Sequence, residues 1–235
     1  MSEETSVQVN FGKPMPLFAL DAVNLLPQQV LPLHIFEPRY RQMLDHALDG
    51  AGQIAMCIFA GDDWKRKYHG RPALRRACCV GQIVQHEKLP DGRYNILLQG
   101  VCRARIRREG AADVERLYRV GYLEPVGLEM VDSEELQPIR VRIADLLTHA
   151  RVREFQSAKA VLEWVQNDEI PTQVLIELIS FAMISDAKLK YKLLAEASPF
   201  TRGELVVHEL EALDTLVRKA RSQRPDLWPK GCSWN

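Results

Sequence analysis

Residues 31–44 (LPLHIFEPRYRQML) place an imidazole, a carboxylate, a guanidinium and two rings within a few positions of one another: His34, Phe36, Glu37, Arg39 and Tyr40. Such groups can exchange protons, grip a partner, or lock a helix to a sheet. The acid–base candidates in the whole chain are His34, Glu37, His86 and Glu87, provided that a cleft brings them together. His86 and Glu87 are neighbours in a strand-like run, so their side chains project to opposite faces and make a poor dyad. Thiols come from Cys57, Cys78, Cys79, Cys102 and Cys232. They are odd in number, adjacent or far apart, and contain no C-x-x-C pair, so neither a disulfide framework nor a zinc site is written there. Cys78 and Cys102 sit in apolar runs, where a free thiol behaves as a small hydrophobe.

A further cluster is basic. Between Gly61 and Val120 there are 14 Lys and Arg against 7 Asp and Glu. Lys65, Arg66, Lys67, Arg71, Arg75 and Arg76 fall with Trp64 and Tyr68 in what reads as a loop, a pattern able to contact phosphates and stack bases. A solvated loop is the commoner result of such a run. The Gly12-Lys13-Pro14 pair lacks the G-x-x-x-x-G-K-[ST] spacing, so no backbone cradle for a nucleotide phosphate is present. No cofactor or metal is expected.

The elements that must position these residues change character along the chain. Residues 15–20, 29–35, 53–60, 77–89, 93–100, 101–109 and 117–125 are short apolar runs separated by Gly, Pro and Asp, and read as strands of an antiparallel barrel or sandwich. Leu89-Pro90-Asp91-Gly92 is a hairpin turn with a bulge, Gly92 taking the positive φ. Tyr94, Ile96 and Leu98 share one face. Cys102, Ala104 and Ile106 alternate with Arg103, Arg105 and Arg107, so one face should pack and the other carry charge to water. Within residues 31–44 a strand exits through Glu37-Pro38 into a helix. Tyr40, Met43, Leu44, Ala47 and Leu48 form its apolar side, and Glu37, Arg41 and Asp45 stand four apart on the other. As a structural joint, the motif locks helix to sheet; as a binding motif, His34 or Arg39 touches a ligand.

After about residue 132 the period becomes helical. Leu136, Ile139, Ile143, Leu146, Leu147 and Ala150 form one stripe, and Phe155, Ala158, Leu162 and Val165 another. Pro171 opens a helix over TQVLIELISFAM, and Ser185 can cap a short one. Thr201 and Glu204 have capping-box spacing, with Phe200 and Leu205 as a hydrophobic staple. Val206, Leu210, Leu213, Val217 and Ala220 continue that last helix. Trp228 and Trp234 in the tail are expected to fold back onto the body or meet a partner.

The chain is 46% hydrophobic and 26% charged with zero formal net charge. That is ordinary globular composition, with no global field to recruit nucleic acid or an anionic membrane. No apolar run approaches the roughly 20 residues needed to cross a bilayer, and MSEETSVQVN is unlike a signal peptide. The cytoplasm is the expected location.

PLFALDAVNLLPQQVLPLHIFEPRYRQML followed by VGQIVQHEKLPDGRYNILLQGVCRARI resembles the LON domain, the N-terminal substrate-binding region of ATP-dependent Lon proteases. The strand–helix joint, the Asp-Gly hairpin and a Gly-x-x-Arg strand (Gly100 to Arg103) come in the family's order. KLKYKLLAEASPFTRGELVVHEL is similar to the family's helical subdomain. The resemblance implies an α+β fold: a PUA-like antiparallel β pseudo-barrel with one helix inserted after the second strand, followed by a helical bundle. Domains are expected at 13–128 and 132–222, with a tail at 223–235.

Lon proteases also carry an ATPase module and a Ser-Lys proteolytic domain, and this sequence reaches Asn235 without either. The expectation is a stand-alone, bacterial, non-catalytic module that binds protein or peptide, with unfolded clients or a separate ATPase as partners. His34, Phe36, Glu37, Arg39 and Tyr40 are then the partner-binding or structural motif. The alternative is RNA binding through Lys65, Arg66, Lys67, Arg71, Arg75 and Arg76, since PUA-like folds elsewhere bind RNA. An unrecognised enzyme and a self-associating scaffold are the remaining readings.

Overall fold

The computed structural model describes residues 7–21, 23–68, 70–129, 131, 133–150, 153 and 156–222. Phe155, Trp228, Cys232 and Trp234 lie outside them. The chain forms two compact units, Met1–Glu129 with Ser185–Ala197, and Met130–Ile184 with Ser198–Asn235.

The first unit is built on β1 (Met15–Leu20), β2 (Val30–Ile35), β3 (Gln53–Ile58), β4 (Ala77–Lys88), β5 (Tyr94–Glu109) and β6 (Arg119–Pro125), with α1 (Pro38–Leu48) between β2 and β3. The sheet order is β2-β5-β4-β3-β1-β6, and β6 also pairs with β5, so five strands form a ring with β2 laid against the first half of β5. The expected antiparallel arrangement holds for every pairing but β1 with β3, which is parallel. Parallel neighbours need a long crossover, and β2 with α1 supplies it.

The runs read as separate strands at 93–100 and 101–109 are one strand, β5, because Gly100 lets the chain continue past the Leu26 carbonyl. A Cβ on Gly100 would stand 2.0 Å from that oxygen. The register shift between Val80 and Gly81 lies opposite this point. At the hairpin, Gly92 has φ +79° and donates its N–H to Leu89 O at 2.8 Å, as its sequence requires.

Alternation along the strands divides the core into two clusters. One gathers Phe18, Ile54, Met56, Cys79 and Leu98 under Tyr40, Met43 and Leu44 of α1. The other gathers Leu17, Ala55, Cys57, Cys78 and Val80 with the partly buried Trp64 and Tyr68. Hydrogen bonding with Cys57 and burial push the Cys78 thiol well up, and burial pushes Cys102 up to about 11, so both stay protonated.

Arg103 corrects the expected pattern of β5. Its guanidinium is buried and donates Nε–H to Leu193 O at 3.2 Å, under α5 (Ala187–Ala195). Arg105 and Arg107 do face out, toward Glu124 at 3.7 and 3.4 Å. Asp186, not Ser185, caps α5, accepting from Leu189 N at 2.6 Å.

The second unit packs α2 (Ser133–His149), α3 (Gln156–Gln166), α4 (Thr172–Met183) and α6 (Pro199–Ser222). Leu136, Ile139, Ile143, Leu147 and Ala150 are buried as the period predicts. Pro171 is the cap residue before α4 rather than its first residue. α6 begins at Pro199, so Thr201 is already helical and donates its N–H to Ser198 Oγ at 3.2 Å. The capping box therefore does not form, and Phe200, expected as half of a staple, is 51% exposed. Buried Arg140 ties α2 to the end of α3, donating to the carbonyls of Val165, Asn167 and Ile170 at 2.7 to 3.0 Å. No described helix is long and apolar enough to cross a membrane.

Candidate binding cleft

The start of α1 faces an open cleft of about 850 Å³ in the first unit, floored by Leu17 and Ala19 of β1 and by Phe36–Tyr40. One wall is the 61–72 segment, contributing Tyr68, Gly70, Arg71 and Pro72; the other is the 110–118 segment, contributing Asp113, Arg116, Leu117 and Tyr118.

Pro38 begins α1 while Glu37 stays extended at φ −67°, ψ 133°, which releases the Glu37 side chain from the helix. It turns to Arg39 and Tyr68 rather than to Arg41 four residues on. Arg39 Nε donates to Glu37 Oε2 at 3.0 Å, and Tyr68 donates its hydroxyl to Oε1 at 2.5 Å. Arg39 also lies over the rings of Tyr40 and Tyr68, 4.5 Å from each centroid. Burial acts to lower the Arg39 pKa, and Tyr40, Glu37 and Tyr68 outweigh it, so the guanidinium stays charged. Tyr40 is buried, with its hydroxyl on Ala19 O at 2.8 Å.

Both walls are clamped. Arg119 pairs with Glu109 and donates to Pro72 O at 2.6 Å, while Arg71 donates to Gly110 O at 3.0 Å and meets Glu109 at 3.2 Å. Gln42 holds the opposite wall through Glu115 O at 2.8 Å and Leu117 N at 2.7 Å. Two large apolar side chains stand exposed at the rim, Phe36 at 60% and Leu117 at 59%.

Of the motif predicted from sequence, Phe36, Glu37, Arg39 and Tyr40 border this cleft, and His34 does not. His34 Nδ1 lies 2.8 Å from Asn95 Oδ1, and Asn95 Nδ2 donates to Glu87 Oε2 at 3.1 Å. With His86 these residues border a shallower depression of about 390 Å³. Glu37 is thus separated from the other three acid–base candidates, and Asn95 stands between His34 and Glu87. Among the described residues no group of three or more His, Cys, Asp or Glu side chains is placed to hold a metal ion.

The residues of the basic cluster take different partners. Arg66 and Lys67 pair with Asp63, Lys65 lies over Trp64 at 5.7 Å, and Arg75 stacks on Tyr191 at 4.5 Å. Arg76 is exposed, and within this set Arg71 alone borders the cleft. Gln42, Arg116, Leu117, Tyr118 and Arg119 were not singled out by sequence. The apolar run 117–125 predicts a strand from Leu117, but β6 begins at Arg119; the Arg-x-x-Arg bracket around Leu117-Tyr118 is the local signal that marks this wall.

Residues 14–212 match the family of the ATP-dependent protease La (LON) substrate-binding domain, and the chain belongs to it. Lon protease of Rickettsia conorii is 22% identical over 209 residues, covering 85% of this chain and 26% of its own length. For Lon protease of Rickettsia felis the values are 21% over 222 residues, with 90% and 28% covered. The chain therefore spans about a quarter of the length of the curated relatives it matches. The N-terminal domain of Mycobacterium avium complex Lon protease superposes with a TM-score of 0.64 at 17% identity, covering 85% of this chain and 98% of that one. A Lon N-terminal domain protein from Xanthomonas campestris gives 0.57 at 23% identity, covering 83% and 98%. These likenesses establish the Lon N-terminal fold.

Proposed function

We propose that the chain is a substrate-recognition module and that the cleft between the 61–72 and 110–118 segments holds an extended, apolar-rich protein segment. The observation that carries this reading is the rim. Phe36 and Leu117 expose large apolar side chains beside Tyr68, Arg39 and Arg116, around a concave space large enough for several side chains. Aromatic residues and arginine at a clamped, concave surface are what concentrated binding energy in protein interfaces requires. Membership of a substrate-binding family supports the same reading.

These residues bind without cutting. The 235 residues contain no phosphate loop, and the acid–base candidates are divided between two depressions. Purified protein should bind fluorescein-labelled β-casein, an unfolded polypeptide, and release no fragments from it. The variant Phe36→Ser, Leu117→Ser should bind about tenfold more weakly, the scale expected for two rim side chains. Because both side chains face solvent, its melting temperature should stay within a few degrees of wild type. Wild-type affinity in that variant would sink the assignment.

A further inference from the structure

Resting on the reading of the cleft as a peptide-holding site, we infer that its preferred occupant is a segment in which a large apolar side chain stands next to an Asp or Glu. Four arginines border the cleft: Arg39, Arg71, Arg116 and Arg119. Arg39 and Arg119 are committed, the first to Glu37 and the second to Glu109 and Pro72 O, and their side chains are only 21% and 14% exposed.

The other two retain capacity. Arg71 is 40% exposed and shares the single carboxylate of Glu109 with Arg119, so two guanidiniums divide one negative charge. Arg116 comes no closer than 3.6 Å to Asp113, and its Nε is buried without a hydrogen-bond acceptor among the described residues. A guanidinium offers five donors in a fork that fits a carboxylate. An incoming Asp or Glu satisfies Arg71 or Arg116 while the adjacent apolar side chain covers Phe36 and Leu117. A neutral segment offers these guanidiniums only uncharged acceptors, which make weaker hydrogen bonds than a carboxylate, and a basic one meets an excess of like charge.

The test titrates the full chain with fluorescein-labelled peptides of one length, blocked at both ends so that no terminal carboxylate contributes. The reference peptide carries Phe flanked by Glu. Its relatives replace Glu by Gln, Glu by Lys, or Phe by Ala. The Glu–Phe peptide is expected to bind about tenfold tighter than the Gln–Phe peptide, as a charge-assisted pair allows. The gap should shrink as salt approaches about 0.5 M, and the Lys and Ala peptides should bind more weakly than the reference. Arg116→Gln and Arg71→Gln should each reduce the Glu-to-Gln preference to about threefold or less.

Equal affinity for the Glu and Gln peptides overturns the inference and leaves the cleft reading standing. Failure of every peptide to bind overturns both. A preference unchanged in both arginine variants, with wild-type melting, overturns its assignment to these residues. If either variant fails to fold, the wild-type peptide comparison and its salt dependence still decide.

Discussion

Tyr68 and Glu37, 31 positions apart, are joined by a 2.5 Å hydrogen bond from the phenol to the carboxylate. It fastens one wall of the cleft to the strand–helix joint that forms its floor. Burial and the neighbouring Glu37 both raise the Tyr68 pKa, so the phenol remains a donor throughout the neutral range.

Removing that hydroxyl should loosen the wall without unfolding the chain. Tyr68→Phe keeps the ring under Arg39 and loses the part-buried hydrogen bond to Glu37, a cost of about 1 kcal/mol. Lys65, Arg66 and Lys67 lie in the same wall, so trypsin should cut there faster than in wild type under conditions where the melting temperature differs by only a few degrees. Identical digestion rates would show that other contacts hold the wall.

Glu109 should make stability depend on acid. Burial pushes its carboxyl up, but hydrogen bonds and charge from Arg119, then Arg71, outweigh burial and leave the folded value below the ordinary 4.5. A carboxylate depressed in the folded state contributes stability above its unfolded pKa and loses it as pH falls through the folded value. Glu109→Gln should therefore be less stable than wild type in urea melts at pH 7, with the gap closing below about pH 4.5. A gap that ignores pH would assign the loss to packing instead.

Arg140 should be among the most sensitive positions of the helical unit. Replacing it by Met removes the donors to the carbonyls of Val165, Asn167 and Ile170, of which Asn167 O keeps the Ile170 N–H, a loss of about 3 kcal/mol by denaturant unfolding. Arg140→Lys should recover little, since one ammonium cannot fork across three acceptors. Full recovery by Lys would mean that charge alone matters there.

Two glycines should respond differently to Ala. At Gly100 the new Cβ meets the Leu26 carbonyl at 2.0 Å, which the backbone relieves only by moving; about 3 kcal/mol should be lost. Gly61 has φ +67° but open space around it, so its Ala variant should lose only about 1 kcal/mol. Paired thermal melts distinguish them, and equal losses would contradict the close approach at Gly100.

Local pattern determined much of this protein, because alternation and helical period are written in neighbouring residues. Most of the strand runs, the Pro90-Asp91-Gly92 turn, the start of α1 at Pro38 and the stripe of α2 were legible, as was the family likeness that residues 14–212 bear out. What tertiary structure alone decided were partnerships between distant segments. Glu37 turned from Arg41 to Arg39 and Tyr68, Arg103 was buried by α5, and His34 faced a different depression from Phe36. The second wall of the cleft, with Arg116 and Leu117, carries no periodicity of its own; Gln42 across the fold sets its position, and no spacing along the chain encodes that contact.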